Sequence, residues 1–537
     1  MSQNAYEIDL YPTKAQPQLH IGNLYAAAYL RGFDPPRIET ATVLEVGCGT
    51  GLNLLPMART LPEAEFVGVD YAARPIEIAK SLAERMEIRN IRFHAADIRD
   101  LADDFGSFDY ILAHGFYSWV PEEVREALWR VVRGSLNPKG VLQVSYNCLP
   151  GWLQNQWLRD FCLEHMKRFP DRETKLGEAW KLIEALASMK EADNPYPIIA
   201  AQTLEKGFAT AIHDELGEIN QPFYLSQVVG HAEAYGLQYL SDAVQKYVPG
   251  LQHLTAGEEI LENIAGDNSV LREQYKDFLS MRTFRQSLFT PASNQPSPAS
   301  YLDRIRHCRA TSPLRAGAAD EEGNRVYDSP LSVLGFHSNN PLIAHLFEAI
   351  AAAHPAPVAL REVSDAVLRA IPSPAAAQVA EYWELVEDLS RNGVLQVSFW
   401  EIPIPFVLPP KPAMAGIASW EALLDLPLTS LFHRPQSFPD PLHRALAALT
   451  DGSRSVPEIC ATLASLIHSQ EASGKPEIAI KGFPIPLLSS QALRGQEALL
   501  DDPQALGSFL LESVPIELER FRLAGLIIEP DSGNPRI

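Results

Sequence analysis

The feature that most constrains this chain is a short apolar run that breaks into three glycines, Thr42-Val43-Leu44-Glu45-Val46-Gly47-Cys48-Gly49-Thr50-Gly51, with a helix-like stretch following at once. A buried parallel strand reads as a continuous apolar run. Gly47, Gly49 and Gly51 let the backbone turn tightly and approach a ligand with no Cβ in the way. The pattern predicts a nucleotide-cofactor loop at the C-terminal end of a strand. It is not the dinucleotide fingerprint, in which the third glycine falls one residue later and a pyrophosphate sits at the helix N-terminus. Glu45, two residues before the first glycine, adds a carboxylate close to that loop.

The alternation that follows is that of a βαβ fold. Strands are predicted over 42–47, 65–70, 91–94, 108–113 and 141–146, with helices over 52–61, 74–88 and 121–135. Pro121 suits the first turn of the last of these. Residues 152–212 then become strongly helical, with Trp152, Trp157, Phe161, Trp180 and Ile183 spaced as apolar faces. Residues 222–243 return to the sheet as a short helix, stopped by Gly236, and a strand over 237–241. The expected architecture is a doubly wound α/β sheet with a helical insertion, followed by two mainly α units of winged-helix order.

The boundaries expected from these patterns are a cofactor-binding core over 1–151, an insertion serving as lid or dimerisation surface over 152–221, and a return to the sheet over 222–255. A helical segment with a linker follows over 256–300, its helical part expected to run from 256 to 289 and its linker to be the Pro- and Ser-rich 290–300. Two further units span 301–412 and 413–537, each read as three helices and a strand. In the first, Glu381, Glu384, Glu387 and Asp388 face a single Arg391 on the candidate third helix, charges that would repel phosphate.

Composition limits the partners. A formal net charge of −22 over 537 residues disfavours an extended nucleic-acid surface and suits a cationic partner such as a lysine-bearing polypeptide. No stretch reaches a membrane-spanning length, and the N-terminus lacks the basic and apolar regions of a secretory signal, so a cytoplasmic location and no membrane partner are expected. The cysteines Cys48, Cys148, Cys162, Cys308 and Cys460 are scattered, with no spacing that would hold a disulfide framework or a metal.

Asp70 closes the second strand, where a carboxylate can accept both hydroxyl protons of a ribose. His114-Gly115-Phe116-Tyr117-Ser118-Trp119-Val120-Pro121 follows the fourth strand, whose C-terminal end should open on the ligand crevice. Tyr117, Trp119 and Tyr146 could wall a slot that holds a cation against aromatic faces, and His114 could take a proton or orient an amine.

From the glycine loop onward the chain resembles the class I S-adenosylmethionine (SAM)-dependent methyltransferases. At His114–Pro121 and Ser145-Tyr146-Asn147-Cys148-Leu149-Pro150-Gly151-Trp152 the resemblance narrows to bacterial methyltransferases with a methyltransferase regulatory domain, whose characterised members methylate lysines of outer-membrane proteins. It continues through His213-Asp214 and Gln274-Tyr275-x-Asp277-Phe278-Leu279 to Phe284-Arg285-Gln286. It implies SAM as cofactor, a lysine ε-amine of a protein as acceptor, and a homodimer. It further implies that Glu45 meets the methionyl amine, that Asp97 and Ile98 flank the adenine, and that His114 lies beside the cofactor. Pro17-Gln18-Leu19-His20 resembles a family element lying over the cofactor, which assigns Gln18 and His20 to it, although isoleucine stands at 21 where the family has proline.

Two other chemistries lack their motifs. Asp34-Pro35-Pro36-Arg37 precedes the first strand and lacks the aromatic of the turn used by methylases of planar nitrogens, and Cys148 is not preceded by proline as a cytosine-C5 nucleophile would be. Two readings of other classes stand beside the protein-lysine one: a small-molecule methyltransferase, and a binding or scaffold protein on a relic fold.

Overall fold

The computed structural model describes residues 5–189, 195–243, 263–312, 314–319, 325–329, 332–370, 376–391, 393–405, 407–494, 497–500 and 502–528. Its centre is a seven-stranded sheet of β1 (Thr42–Val46), β2 (Glu65–Asp70), β3 (Ile91–Ala95), β4 (Phe108–Ala113), β5 (Leu136–Asn147), β6 (Leu237–Asp242) and β7 (Phe284–Pro291). The strand order is β3-β2-β1-β4-β5-β7-β6. β1 to β5 pair in parallel and β7 runs antiparallel between β5 and β6. Chain order reverses between β1 and β4, which opens the ligand crevice at their C-terminal ends.

The five early strands stand where the apolar runs predict them, because strands buried on both faces need apolar residues at every position. Val43, Tyr110, Leu112, Val141 and Leu288 pack on one face of the sheet, and Leu44, Val46, Ile111, Ala113, Leu142, Val144 and Phe289 on the other. The β5 strand is longer than the predicted 141–146, and the helices Leu54–Thr60, Ala73–Arg85 and Glu122–Ser135 stand where they are predicted with small shifts at their ends.

One expectation is corrected. The 256–289 stretch is not helical throughout: 256–262 lies outside the described residues, the helix is Ser269–Ser280, and the chain then enters β7. Met281, with φ 49°, closes that helix in the left-handed region. The return to the sheet therefore continues to Pro291, well past 255. Arg285 and Gln286 disguise β7 as a solvated run. Arg285 is in fact fully buried, bonding Asp277 Oδ2 at 2.8 Å and Asp242 Oδ2 at 2.7 Å. Nor is 290–300 a free tether, since Ser297 N–H donates to Gly32 O at 2.8 Å and Thr290 Oγ1 to Gly140 O at 2.8 Å.

The insertion has its own core, built on Leu158, Cys162, Ala179, Ile183 and Ala200. Residues 301–412 form helices Pro341–Ala353, Leu360–Ala370 and Ala376–Arg391 with a three-stranded sheet of Arg309–Thr311, Val358–Ala359 and Gln396–Ser398. They dock through Arg304, which donates to Tyr29 O, Phe33 O and Asp34 Oδ1 within 3.0 Å. The Asp34-Pro35-Pro36 turn is thus a structural seat. In the last unit, helices Pro441–Leu449, Val456–Ser473 and Pro503–Leu523 enclose a core of leucine and isoleucine, and two-stranded ladders replace a larger sheet. Ile417 from this unit joins the core beneath the catalytic sheet.

Candidate active site

All three glycines of the loop lie in the left-handed region, with φ of 75°, 53° and 75° at Gly47, Gly49 and Gly51. A side chain at any of them would be strained. A Cβ on Gly49 would stand 2.7 Å from Thr13 Cγ2, and one on Gly51 would stand 2.6 Å from the Phe93 ring. Asp70 reaches back to this loop, its Oδ2 accepting Gly49 N–H at 2.8 Å and its Oδ1 accepting Ala72 N–H at 2.9 Å. Burial raises its carboxyl above the usual range while these two amides oppose the shift. Loop and acid are therefore one rigid constellation.

Glu45 is buried one turn below. Its Oε1 accepts Asn53 Nδ2–H at 3.0 Å, whereas Oε2 is buried with no partner. Burial pushes the carboxyl up to about 8. An orphaned carboxylate oxygen beside a cradle without Cβ atoms fits the cationic end of an amino-acid-bearing cofactor.

An N-terminal strap covers the loop. The Thr13 and Thr50 hydroxyls bond each other, Gln16 N–H donates to Asn53 Oδ1 at 3.3 Å, and half-buried Gln18 donates to Gln16 Oε1 at 3.1 Å. His20 departs from its expected part as a cofactor contact. It caps the helix Ile21–Leu30 by accepting Gly22 N–H at 3.1 Å and stacks on Trp400 at 5.0 Å. Burial lowers it to about 4. Its ring is thus filled by packing and is not offered to the crevice.

Asp97 follows β3 as expected, with both carboxylate oxygens held by Arg99, Nη2 lying 2.7 Å from Oδ2. These bonds to the Arg99 side chain hold it below the usual carboxylate range. The Ile98 side chain is buried in the cluster that also holds Val46 and Val69.

At the end of β4, His114 sets its ring 5.8 Å from Phe284, and Trp119 lies 6.5 Å from the same ring. His114 Nδ1 and Trp119 Nε1 are both buried without partners, and burial holds His114 neutral, down to about 4. Gly115, with φ 63°, faces open space. Tyr117 and Tyr146 are corrected. Both are wholly buried on the opposite face of the sheet, Tyr117 OH bonding His231 Nδ1 at 2.6 Å and Tyr146 OH bonding Ser287 Oγ at 2.9 Å. The strand pleat decides this, since Tyr146 shares the parity of Leu142 and Val144. Cys148 donates to Asp277 Oδ2 at 3.4 Å and burial pushes its thiol up, which removes it as a nucleophile.

Other residues take the vacated place. Tyr6 stacks on His213 at 4.7 Å and Tyr11 meets the same ring edge-on at 5.7 Å. Asp214 beside them is raised to about 7 by burial, then by the charge of Glu215. The charges of both Asp214 and Asp70 act on Tyr6, so this aromatic and acidic cluster lies within electrostatic reach of the acid that holds the glycine loop. Phe284 lay hidden because β7 read as helix. Tyr6 and Tyr11 carried no local signal, being brought in by the strap.

Two family models match the chain: a methyltransferase domain over residues 43–140 and a predicted methyltransferase regulatory domain over 209–290. Protein RP028 of Rickettsia prowazekii is 37% identical over 209 residues, covering 38% of this chain and 84% of that protein. RP789 of the same organism is 34% identical over 287 residues, covering 52% of this chain, and the match spans about half of its length, 50%. PKMT2 from Rickettsia typhi superposes with a TM-score of 0.80 at 25% identity, covering 97% of this chain and 100% of that one. The same protein in complex with AdoHcy gives 0.79. SAM is accordingly the cofactor of this fold, and the glycine cradle, Asp70 and the orphaned Glu45 oxygen fit it. The chain belongs to the class I SAM-dependent methyltransferases that carry a methyltransferase regulatory domain.

Proposed function

We propose that this chain transfers a methyl group from SAM to the ε-amine of a lysine in a protein. The observation that carries the reading is the likeness to PKMT2, which runs through the insertion and both C-terminal units as well as the cofactor core. A metabolite would need no such platform. The aromatic and acidic cluster of Tyr6, Tyr11, His213 and Asp214 supports it too, because a lysine ammonium is held by ring faces and a carboxylate.

In this reading Asp70 binds the ribose, Glu45 receives the methionyl ammonium, and the loop backbone passes close beneath. Asp97 and the Ile98 backbone border the adenine. The bound cofactor supplies an electrophilic methyl on a sulfonium. This chain's residues bind, orient and dry the acceptor: Trp119, Phe284 and neutral His114 line the end of β4, and Asp214 receives the proton shed by the amine. Catalysis by positioning needs no stronger base.

The insertion exposes Leu153, Phe161, Tyr196, Ile198 and Phe208, apolar surface suited to a homodimer interface. We read the two C-terminal units, winged-helix-like in helix order, as protein-recognition modules and not as nucleic-acid binders, and the enzyme as cytoplasmic, acting before its substrate is exported.

Incubation with methyl-labelled SAM and a lysate fractionated by size should place label on lysines of polypeptides. Label confined to small molecules would favour a metabolite acceptor, and none at all a scaffold. A second expectation concerns pH. Glu45 has its folded value raised from 4.5 to about 8, so the stability of the free protein that depends on its neutral form is complete below 4.5 and lost as pH rises through about 8. A cation at Oε2 favours the ionised form, so SAM binding below that pH releases a proton. Affinity should climb from pH 6 to about pH 7.5, above which the methionyl amine of free SAM begins to lose its own proton, by at most ~10-fold per unit, and Glu45→Gln should flatten the climb in calorimetric titration.

A further inference from the structure

The C-terminal unit reaches the residues that follow the glycine loop through the side chain of His433. His433 lies on the turn joining the short strands Leu428–Thr429 and Pro435–Gln436, some 380 residues from the loop in sequence. Its ring is buried, and Nε2 stands 2.9 Å from Asn53 Oδ1. That oxygen also receives Gln16 N–H at 3.3 Å, and Asn53 Nδ2 donates to Glu45 Oε1 at 3.0 Å. The bonds settle the protons: Oδ1 is the carbonyl, so His433 donates from Nε2. Asn53 has no freedom to flip, and the unpartnered Oε2 of Glu45 is aimed by a chain of bonds that begins in another unit.

The backbone at His433 is a second and independent observation. Its φ is 57°, a left-handed conformation costly for a residue with a side chain. The turn that holds it is well determined, with His433 N–H on Ser430 O at 2.8 Å and Ser430 N–H on Arg434 O at 3.0 Å. Glycine would sit there without strain. A histidine stands there instead, with its ring packed between His20 and Asn53, so contacts of the side chain offset the strain of the turn. Trp400 stacks on the other side of His20, and a small cavity lined by Thr60, Gly416 and Ser430 adjoins the two histidine rings.

We infer that His433 is a positioning residue for the cofactor: acting through Asn53, it orients Glu45, so that the SAM site is complete only when the C-terminal unit is docked. This rests on the reading of the glycine loop as a SAM site and extends it to a part of the chain with no methyltransferase motif.

The test uses the full chain and calorimetric titration with SAM, alongside thermal melting. His433→Gly should raise the dissociation constant ~10-fold, as expected for one lost buried hydrogen bond, while lowering the melting temperature only modestly, because relief of the strained φ offsets part of the cost of the emptied ring site. His433→Gln, which restores an N–H donor, should bind within ~3-fold of the parent. If His433→Gly binds SAM like the parent while Gly49→Arg does not, the inference is overturned and the SAM site stands. Equal losses in the Gly and Gln variants would overturn it too, since the donor would then be irrelevant. If the parent itself fails to bind SAM, the site reading falls and takes the inference with it. Asn53→Leu cuts the same chain of bonds from the other side, so adding His433→Gly to it should cost no further affinity, and additive losses would refute the relay.

Discussion

Replacing Gly49 by arginine is expected to raise the dissociation constant for SAM by at least ~100-fold, leaving no binding measurable at ordinary concentrations. Three effects act together. The φ of 53° is strained for any residue with a Cβ. That Cβ would stand 2.7 Å from Thr13 Cγ2, so the strap that bonds Thr50 must lift. The Gly49 amide is also one of the two donors that hold Asp70, and moving it unseats the proposed ribose ligand. The rest of the fold should survive, because the loop is at the crevice and not in the core between sheet and helices. Titration of a variant shown to be folded by circular dichroism is the measurement, and retained affinity would mean that the cofactor lies elsewhere.

Arg285→Leu should destabilise the protein by about 3–5 kcal/mol, the scale of breaking a buried ion pair from one side. Arg285 is fully buried, with Nε on Asp277 Oδ2 at 2.8 Å, Nη1 on Asp242 Oδ2 at 2.7 Å and Nη2 on Glu273 O at 2.9 Å. Burial works against the Asp242 carboxylate, and Arg285 with Arg282 more than offsets it, so that acid stays ionised below its usual range. Asp277 is raised by burial in spite of Arg285. Removing the guanidinium leaves both acids to the partly exposed Arg282, where β6, β7 and the helix Ser269–Ser280 meet. Urea unfolding followed by fluorescence should show the lower midpoint, and a shift worth under ~1 kcal/mol would mean that the network is solvated and not structural.

The parts of this protein legible from its residues are those whose cause is local. A buried parallel strand must be apolar throughout, and a backbone with φ above zero at three alternate positions calls for glycine, so β1 to β5 and the loop were readable, as was Asp70 closing β2. Face and partner were not. Tyr117 and Tyr146 have the composition of an aromatic slot, but the pleat and the covering helix Leu225–Ala234 turn both into the core. His20 belongs to a segment that resembles a family element lying over the cofactor and is used as a helix cap against Trp400. β7 was masked by Arg285, whose charge makes sense only beside Asp242 and Asp277.

What the sequence determined by itself was a methyltransferase sheet and the glycine loop proposed to hold its cofactor, because glycine conformation and strand burial act over a few residues. Which acids and rings gather around that loop was decided by tertiary structure alone. Asn53 and His433, or Tyr6 and Asp214, are brought together by packing of surfaces that no periodicity encodes, and the protonation of Glu45 follows from how thoroughly those surfaces exclude water.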